Sequence, residues 1–157
     1  MFRFAQDGRV RWPVTIEQLQ EDGSTAAQTF AVVYRVMTRE ELRARDNAMT
    51  DFMRQIRGLM PAEGATDTDE NAAKRRTLTD QRLQADDALL TDRVLGWFDI
   101  ADQDGVPIPF SAAALSAFLR SEVLRDTLLQ GLVDASSGAH SKNSRPGLAG
   151  LPAPAQA

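Results

Sequence analysis

Two runs of alternating apolar and polar residues, separated by a single turn, limit what this chain can fold into more than any other feature. The first run has apolar residues at Val10, Trp12, Val14 and Ile16. The second has them at Phe30, Val32, Tyr34 and Val36. A period of two is typical of strands with one buried face. The turn between the runs contains Gly23, which can take a positive φ. The pattern therefore predicts an antiparallel β-hairpin.

The edges of this hairpin carry further information. Pro13 has no N–H for a ladder hydrogen bond, so we place its strand at an edge or at a bulge. Phe2 and Phe4, before the tight turn Asp7-Gly8, are candidates for a short third strand. An isolated hairpin is marginal in water, so helices or another subunit must cover its apolar face. An edge blunted on one side only also leaves room for a homo-oligomer.

A first helix is predicted from Thr38 to about Gly58. Thr38 and Glu41 form a capping-box pattern, in which each side chain satisfies a backbone N–H of the other residue. Apolar residues follow in one helical stripe at Leu42, Met49, Phe52, Met53 and Ile56. A second helix is expected from about Ala73 to Leu95. Its stripe comprises Leu83, Leu90, Val94 and Trp97.

Two shorter helices complete the predicted body. Ser111 is expected to cap one helix and Ser121 the next, which closes near Gly138. Their apolar stripes are Leu115, Phe118 and Leu119, and then Leu124, Leu128 and Leu132. We expect residues 61–72 to be a mobile linker, residues 96–110 a loop and residues 144–157 a disordered tail. The predicted class is α+β: a single domain over residues 1–143, with an N-terminal hairpin of two or three strands and about four helices.

Composition argues against catalysis. The chain of 157 residues has no cysteine and one histidine, His140, which lies beyond the last predicted helix. Phosphate-binding glycine motifs are absent. The formal net charge of −4 and the interleaving of acidic with basic residues disfavour nucleic acid as the main partner. No apolar run has the length of a membrane span. We expect a cytoplasmic protein with no catalytic residues, no cofactor and no membrane contact.

One acidic segment invites comparison with a calcium loop. It contains Asp99, Asp102, Asp104 and Gly105. A loop of the EF-hand kind needs glycine at its sixth position and oxygen ligands at both ends. With Gly105 sixth, Ile100 stands first and Ser111 twelfth, so neither end supplies the required ligand. We interpret the segment as a surface turn leading into the Ser111 helix and expect no metal site.

The methionines of the first helix and its end, Met49, Met53 and Met60, have two interpretations. Periodic apolar positions usually face a core, so we expect them to pack beneath the hairpin. Alternatively, such unbranched, polarizable side chains form an adaptable surface for the apolar helices of a client protein. The residues expected to contact a client are then Met49, Phe52, Met53, Leu124 and Leu128.

Short motifs in the second half of the chain resemble the tail assembly chaperone family of tailed bacteriophages and prophages. These motifs are Leu95-Gly96-Trp97, Asp102-Gln103-Asp104-Gly105, Phe110-Ser111 and the ending Gly138-Ala139-His140-Ser141-Lys142-Asn143. The helix start at Thr38 also fits, so the resemblance touches most of residues 10–143. The stretch between Gly58 and Leu89 departs from the family as an added linker and helix extension.

The resemblance implies a non-enzymatic role. Members of the family bind the long, helical tape measure protein, keep it soluble, help bring tail tube subunits onto it and leave before the virion is complete. It implies structural roles for Trp97, Phe110 and Ser111, as core anchor, staple and helix cap. An alternative interpretation from another class is a small helical regulator, antitoxin-like, that binds protein or DNA.

Overall fold

A computed structural model describes residues 8–19, 22–102 and 104–138. It contains three strands and four helices, which confirms the predicted α+β class. In chain order these are β1 (Arg9–Leu19), β2 (Thr25–Arg35), α1 (Arg39–Gly58), α2 (Asp69–Arg93), β3 (Val94–Phe98), α3 (Ala112–Phe118) and α4 (Glu122–Ser137). The strands form one antiparallel sheet in the order β1-β2-β3. The predicted tail at residues 144–157 lies outside the described residues, as does His140.

The predicted hairpin is confirmed along its full length. Val14 pairs with Phe30, and Trp12 pairs with Val32, so the apolar positions of both strands share one face of the sheet. Gly23 turns the chain with a φ of 82°. Next to it the Asp22 carboxylate accepts hydrogen bonds from both the backbone N–H and the hydroxyl of Ser24, at 2.9 and 2.6 Å. Local turn chemistry therefore fixes the register that buries this face.

The third strand comes from residues 94–98, which the sequence assigned to the end of a helix and a loop. This prediction was wrong because Val94 and Trp97 fit helical spacing as well as they fit a short strand. The last helical hydrogen bond runs from Val94 N–H to the Leu90 carbonyl, after which the backbone is extended. Gly96, a poor helix former, pairs with Val33 across a local irregularity in β2. The alternative third strand, at Phe2 and Phe4, lies outside the described residues.

The predicted helix caps are present. The Thr38 N–H donates to Glu41 Oε2 at 2.8 Å, and the Glu41 N–H donates to Thr38 Oγ1 at 3.2 Å. Ser111 and Ser121 accept from the backbones of the third residues in their helices. Gly138 ends α4 in the left-handed conformation, with a φ of 68°. The hydroxyl residues Thr38, Ser111 and Ser121 therefore set where α1, α3 and α4 begin, and Gly138 sets where α4 ends.

The second helix starts earlier than predicted, at Asp69 rather than near Ala73. The Thr68 hydroxyl accepts from Asn71 N–H at 3.2 Å, and Asp69 and Glu70 occupy the first turn. Acidic residues are favourable there because they face the positive end of the helix dipole. Residues 69–72 therefore belong to α2 and not to a linker, although they carry no large apolar side chain.

The core lies between the sheet and the helices α2, α3 and α4. Its fully buried side chains are Val32, Tyr34, Leu90, Leu115, Leu128 and Leu132. Tyr34 of β2 reaches α4, where its hydroxyl donates to the Leu128 carbonyl at 2.9 Å. Gly131 of α4 lies against the same hydroxyl. The first helix, α1, contributes no buried residue to this core.

Candidate functional site

The helices α1 and α2 form an antiparallel pair that extends away from the core. At its base, Arg93 Nη2 of α2 lies 2.6 Å from Glu41 Oε1 of α1. At the far end, Arg75 Nη1 donates to the Leu59 carbonyl at 2.6 Å. The two contacts are separated by the same number of residues on both helices, so the register stays constant between them. None of residues 49–85 is buried. We call residues 49–85 the arm.

The α1 side of this pair has a regular pattern of burial. After Glu41, its half-buried residues recur at alternating spacings of three and four: Leu42, Arg45, Met49, Phe52, Ile56 and Leu59. This is the spacing of residues that meet a second helix lying alongside. Leu42 packs against the core, whereas Met49, Phe52 and Ile56 do not belong to it. In the register set by the end contacts, Phe52 lies opposite Arg82 and Ile56 opposite Leu78.

The α2 side is rich in charge. Its half-buried and buried positions include Arg75, Arg82, Asp86 and Arg93. Arg82 Nε lies 3.0 Å from Asp86 Oδ2, and both side chains are less than one-sixth exposed. Arg82 Nη2 and Arg45 Nε are buried without a hydrogen-bond partner. Charged groups held this way stabilise a helix pair less than apolar side chains of the same size would.

The methionines of the first helix are not in the core, so the expectation that they pack beneath the hairpin was wrong. Met53 is 49% exposed and Met60 is 56% exposed. Met49 is half-buried and lies outside the core cluster. Their spacing fitted a core-facing stripe because an arm that packs on one neighbour needs the same periodicity. The two exposed methionines therefore form part of the accessible surface of the arm.

A shallow groove lies between the end of α1 and the start of α2. It has a volume of about 680 Å³, and we call it the arm groove. Its apolar lining comes from Gly58, Leu59, Ala73 and Leu78. At its margin Lys74 Nζ lies 2.6 Å from Glu70 Oε1 on the preceding turn of α2. The groove is thus open, mostly apolar and nearly neutral in charge.

The five residues expected to contact a client divide between two places. Met49, Phe52 and Met53 lie on the arm. Leu128 is 1% exposed and belongs to the core, so it can reach a client only if the core opens. Leu124 is half-buried beside a different groove, at the start of α4. The apolar stripe of α4 is compatible both with burial in the core and with contact to a client. Helical periodicity identifies an apolar face but does not indicate what covers that face.

Three residues of the motifs that resemble tail assembly chaperones, Trp97, Phe110 and Ser111, lie at one aromatic cluster. Trp97 is buried, and its Nε1–H donates to the Ile108 carbonyl at 2.8 Å. Its ring stacks on Phe118 and meets Phe110 edge-on, with centroids 4.8 Å apart in both pairs. The Ser111 hydroxyl accepts from Ala114 N–H at 3.1 Å. The cluster joins β3 to α3 and positions the start of that helix.

The acidic segment forms a compact turn. Asp102 Oδ1 accepts hydrogen bonds from the N–H groups of Asp104 and Val106, at 3.0 and 2.9 Å. Gly105 takes a φ of 78°, and Ala101 bridges to Pro107. The carboxylate of Asp102 is thus engaged by the backbone of its own turn. Among the residues that the structure describes, no group of three or more histidine, cysteine or acidic side chains could hold a metal ion.

Two features of the site were not predicted: the pairing of α1 with α2 and the charge at their contact. The spacing of the α1 stripe carried a signal for the first. The charge at the contact had no sequence signal, because charged residues such as Arg75, Arg82 and Asp86 are usually interpreted as a solvated helix face. Across the described ranges, no helix combines the length and apolar character needed to cross a bilayer.

The chain was also compared with known proteins. No protein family, curated protein or solved structure gives a significant match to it. The resemblance of residues 95–111 and 138–143 to tail assembly chaperones is therefore a prediction from short motifs.

Proposed function

We propose that this chain is a non-enzymatic tail assembly chaperone of a tailed bacteriophage or prophage. It binds the tape measure protein in the host cytoplasm, keeps it soluble, helps recruit tail tube subunits and is absent from the mature virion. The observation that carries the proposal is the arm: residues 49–85 contain no buried residue, yet they present apolar side chains at helical spacing.

The arm suits a helical client. An amphipathic helix binds along a groove through apolar side chains on successive turns. Met53 and Met60 are exposed beside Met49 and Ile56 at spacings of four, three and four along the chain. Methionine side chains adapt to partners of different shape, which a chaperone of a long and irregular helical protein requires. The arm groove adds a second apolar surface at the tip.

The proposed role also fits the chemistry of the chain. Holding apolar helices in solution needs accessible apolar surface on a stable body, and it needs neither a nucleophile nor a cofactor. The sequence has no cysteine, and its one histidine lies beyond α4. The mixed charges of the arm keep its exposed apolar residues soluble between encounters with the client.

Co-expression with a tape measure protein, the long helical client that the proposal names, tests it. We expect the long protein to become soluble and to co-purify with the wild-type chain. The double variant Met53→Ala/Met60→Ala should reduce co-purification about tenfold, since exposed anchor residues carry much of the binding energy. Val106→Ala is the matched control, because Val106 is similarly exposed, at 57%, but lies far along the chain in the acidic turn.

Unchanged solubility of the long protein with and without this chain would disprove the proposal. Equal loss of binding in the methionine variant and in the control would contradict the claim that the arm is the surface that binds the client. Tight, salt-dependent binding to DNA would instead favour the helical regulator.

A further inference from the structure

The strand β2 extends beyond β3 and leaves part of its edge without a neighbour. Strand β3 pairs with residues 31–34 of β2, whereas β2 begins at Thr25. In the described part of the chain, no strand pairs with residues 25–30 on that side. An unpaired edge presents backbone N–H and C=O groups to any extended segment that can reach it.

Asp99 is the point at which the chain leaves the sheet. It is the single non-glycine residue with a positive φ, 63°, among those that the structure describes. Aspartate tolerates this left-handed conformation better than most non-glycine residues. The kink follows Phe98, the last residue of β3, and leads into the turn closed by the Ala101–Pro107 bridge. The chain therefore does not continue along β2.

A groove of about 500 Å³ lies where the chain departs, and we call it the strand-edge groove. It runs between the free edge of β2, residues 99–102 and the first turn of α4. Its apolar lining includes Phe30, Ile100, Phe118 and Leu124. Phe30 is buried, and the other three are half-buried.

The charge on the strand-edge groove is of one sign. Glu17, Asp99 and Asp102 line it, and none of the lysines and arginines that the structure describes does. Arg11 approaches Asp99 from outside the groove at 3.7 Å, with 74% of the Asp99 side chain still exposed. Carboxylates at the margin of an apolar groove favour a partner that carries positive charge.

We propose that the strand-edge groove binds an extended peptide segment that joins the sheet as a fourth strand beside residues 25–30. Successive side chains of a strand point to opposite sides, so the segment carries apolar residues at alternate positions for the groove. Basic residues stand between them and face the carboxylates. This site is separate from the arm, so the inference does not depend on the proposed function.

A synthetic peptide tests the inference on the full chain. The probe is a seven-residue peptide that alternates lysine and valine, labelled for fluorescence anisotropy. A version with glutamate in place of lysine should bind at least tenfold more weakly. A version N-methylated at alternate residues should also bind at least tenfold more weakly, because it lacks the N–H groups that a strand donates.

Variants of the chain separate charge from fold. Glu17→Gln/Asp99→Asn should weaken binding of the lysine peptide about tenfold, and asparagine retains the left-handed conformation at residue 99. Glu63→Gln/Asp80→Asn changes the net charge equally on the arm and should leave binding unchanged. The methionine variant of the arm should bind the peptide normally, so failure of this inference and of the proposed function can be told apart.

Hydrogen exchange locates the bound peptide. The expected result is slower exchange of backbone amides within residues 25–30 when the lysine peptide is present. Equal binding of the lysine and glutamate peptides would overturn the inference. So would binding that survives N-methylation, or protection that falls elsewhere in the chain.

Discussion

One glycine sets how closely α4 approaches the sheet. A Cβ at Gly131 would lie 2.8 Å from the Tyr34 hydroxyl and 3.3 Å from Val14 Cγ2. The Tyr34 hydroxyl is fixed by its hydrogen bond to the Leu128 carbonyl, so it cannot move aside without losing that bond. Glycine inside a helix costs about 1 kcal/mol relative to alanine. The close contact with β2 requires it here.

Replacing Gly131→Ala should therefore lower the free energy of unfolding, by about 1 to 2 kcal/mol, although alanine is the better helix former. Tyr34→Phe alone should cost about 1 kcal/mol through loss of the hydrogen bond. In the Tyr34→Phe background the Gly131→Ala change should be close to neutral, because the nearest atom has gone. Urea unfolding of the four chains measures this coupling, and additive effects would contradict it.

Because Tyr34 is buried, we expect the stability of the fold to decrease at alkaline pH. Burial raises the pKa of the Tyr34 hydroxyl well above its ordinary value of 10.0. The unfolded chain gives up this proton near pH 10, whereas the folded chain keeps it. The stability linked to this proton is therefore complete below pH 10 and is lost as the pH rises further.

Two measurements on the wild type and on Tyr34→Phe check this expectation. The difference in unfolding free energy between the two chains should shrink as the pH rises above 10. Tyr34 is the single tyrosine of the sequence, so phenolate absorbance reports on it alone. In the wild type, phenolate should form together with unfolding. Phenolate formation near pH 10 in a chain that stays folded would show that the hydroxyl is not held as described.

Among the helices, α2 carries one buried ion pair between successive turns, Arg82 with Asp86. Asp86 is 8% exposed and has Arg82 as its ion-pair partner on the preceding turn. Arg82→Leu should destabilise the chain by about 3 kcal/mol, because it leaves a buried carboxylate without its cation. Arg82→Leu/Asp86→Leu should restore most of that loss, since both charges are then replaced by apolar side chains.

Chemical denaturation followed by far-ultraviolet circular dichroism measures both variants. Glu70→Gln provides the control, because it breaks an ion pair of the same spacing, with Lys74, in which both side chains are more than half exposed. That change should leave the unfolding midpoint where it is. If the double variant is no more stable than Arg82→Leu, the charges serve another purpose, such as fixing the register of the two helices.

Elements whose signals are local could be predicted from the sequence. The hairpin follows from alternation around Gly23, and the starts of α1, α3 and α4 follow from Thr38, Ser111 and Ser121, which hydrogen-bond within their own first turns. The strand β3 could not be predicted in this way. Four of its five residues pair with residues of β2 that lie 60 to 67 positions earlier, and nothing within the segment indicates that partner.

The candidate site shows the same limit. Met49, Phe52 and Met53 were identified by spacing, but spacing could not say whether they face a core, a second helix or a client. Leu128 carried the same pattern and is in the core. What separates these residues is their tertiary setting: Leu128 lies on α4, which packs across the hairpin, whereas the other three lie on the part of α1 that runs beside α2. The strand-edge groove had no sequence signal, because it results from the length by which β2 exceeds β3.

At the scale of the molecule, the described chain divides into the arm, residues 49–85, and the remaining described residues, which we call the body. The two parts have different roles. The body holds every fully buried apolar residue that the structure describes, from the sheet, the C-terminal end of α2, α3 and α4. The arm holds none. Stability and partner binding thus depend largely on separate residues, so changes at exposed residues of the arm such as Met53 and Met60 should affect binding with little effect on folding.

Shortening the arm tests this division directly. Residues 50–84 begin and end opposite each other in the register of the pair, so they can be replaced by a Gly/Ser linker of about five residues. Such a linker spans the distance of about 10 Å between packed helices. The replacement removes Arg82, so it is combined with Asp86→Leu to avoid leaving a buried carboxylate without its cation. The shortened chain should keep a cooperative unfolding transition, with Trp97 buried in the core and Trp12 partly buried against it.

The same chain should lose co-purification with the long helical protein and keep binding of the lysine–valine peptide, since the strand-edge groove lies wholly in the body. If the shortened chain also fails to bind the peptide, the arm is needed for the sheet to fold correctly. Retention of the long protein would place its binding surface on the body, where half-buried Leu124 and exposed Val123 would be the next residues to change.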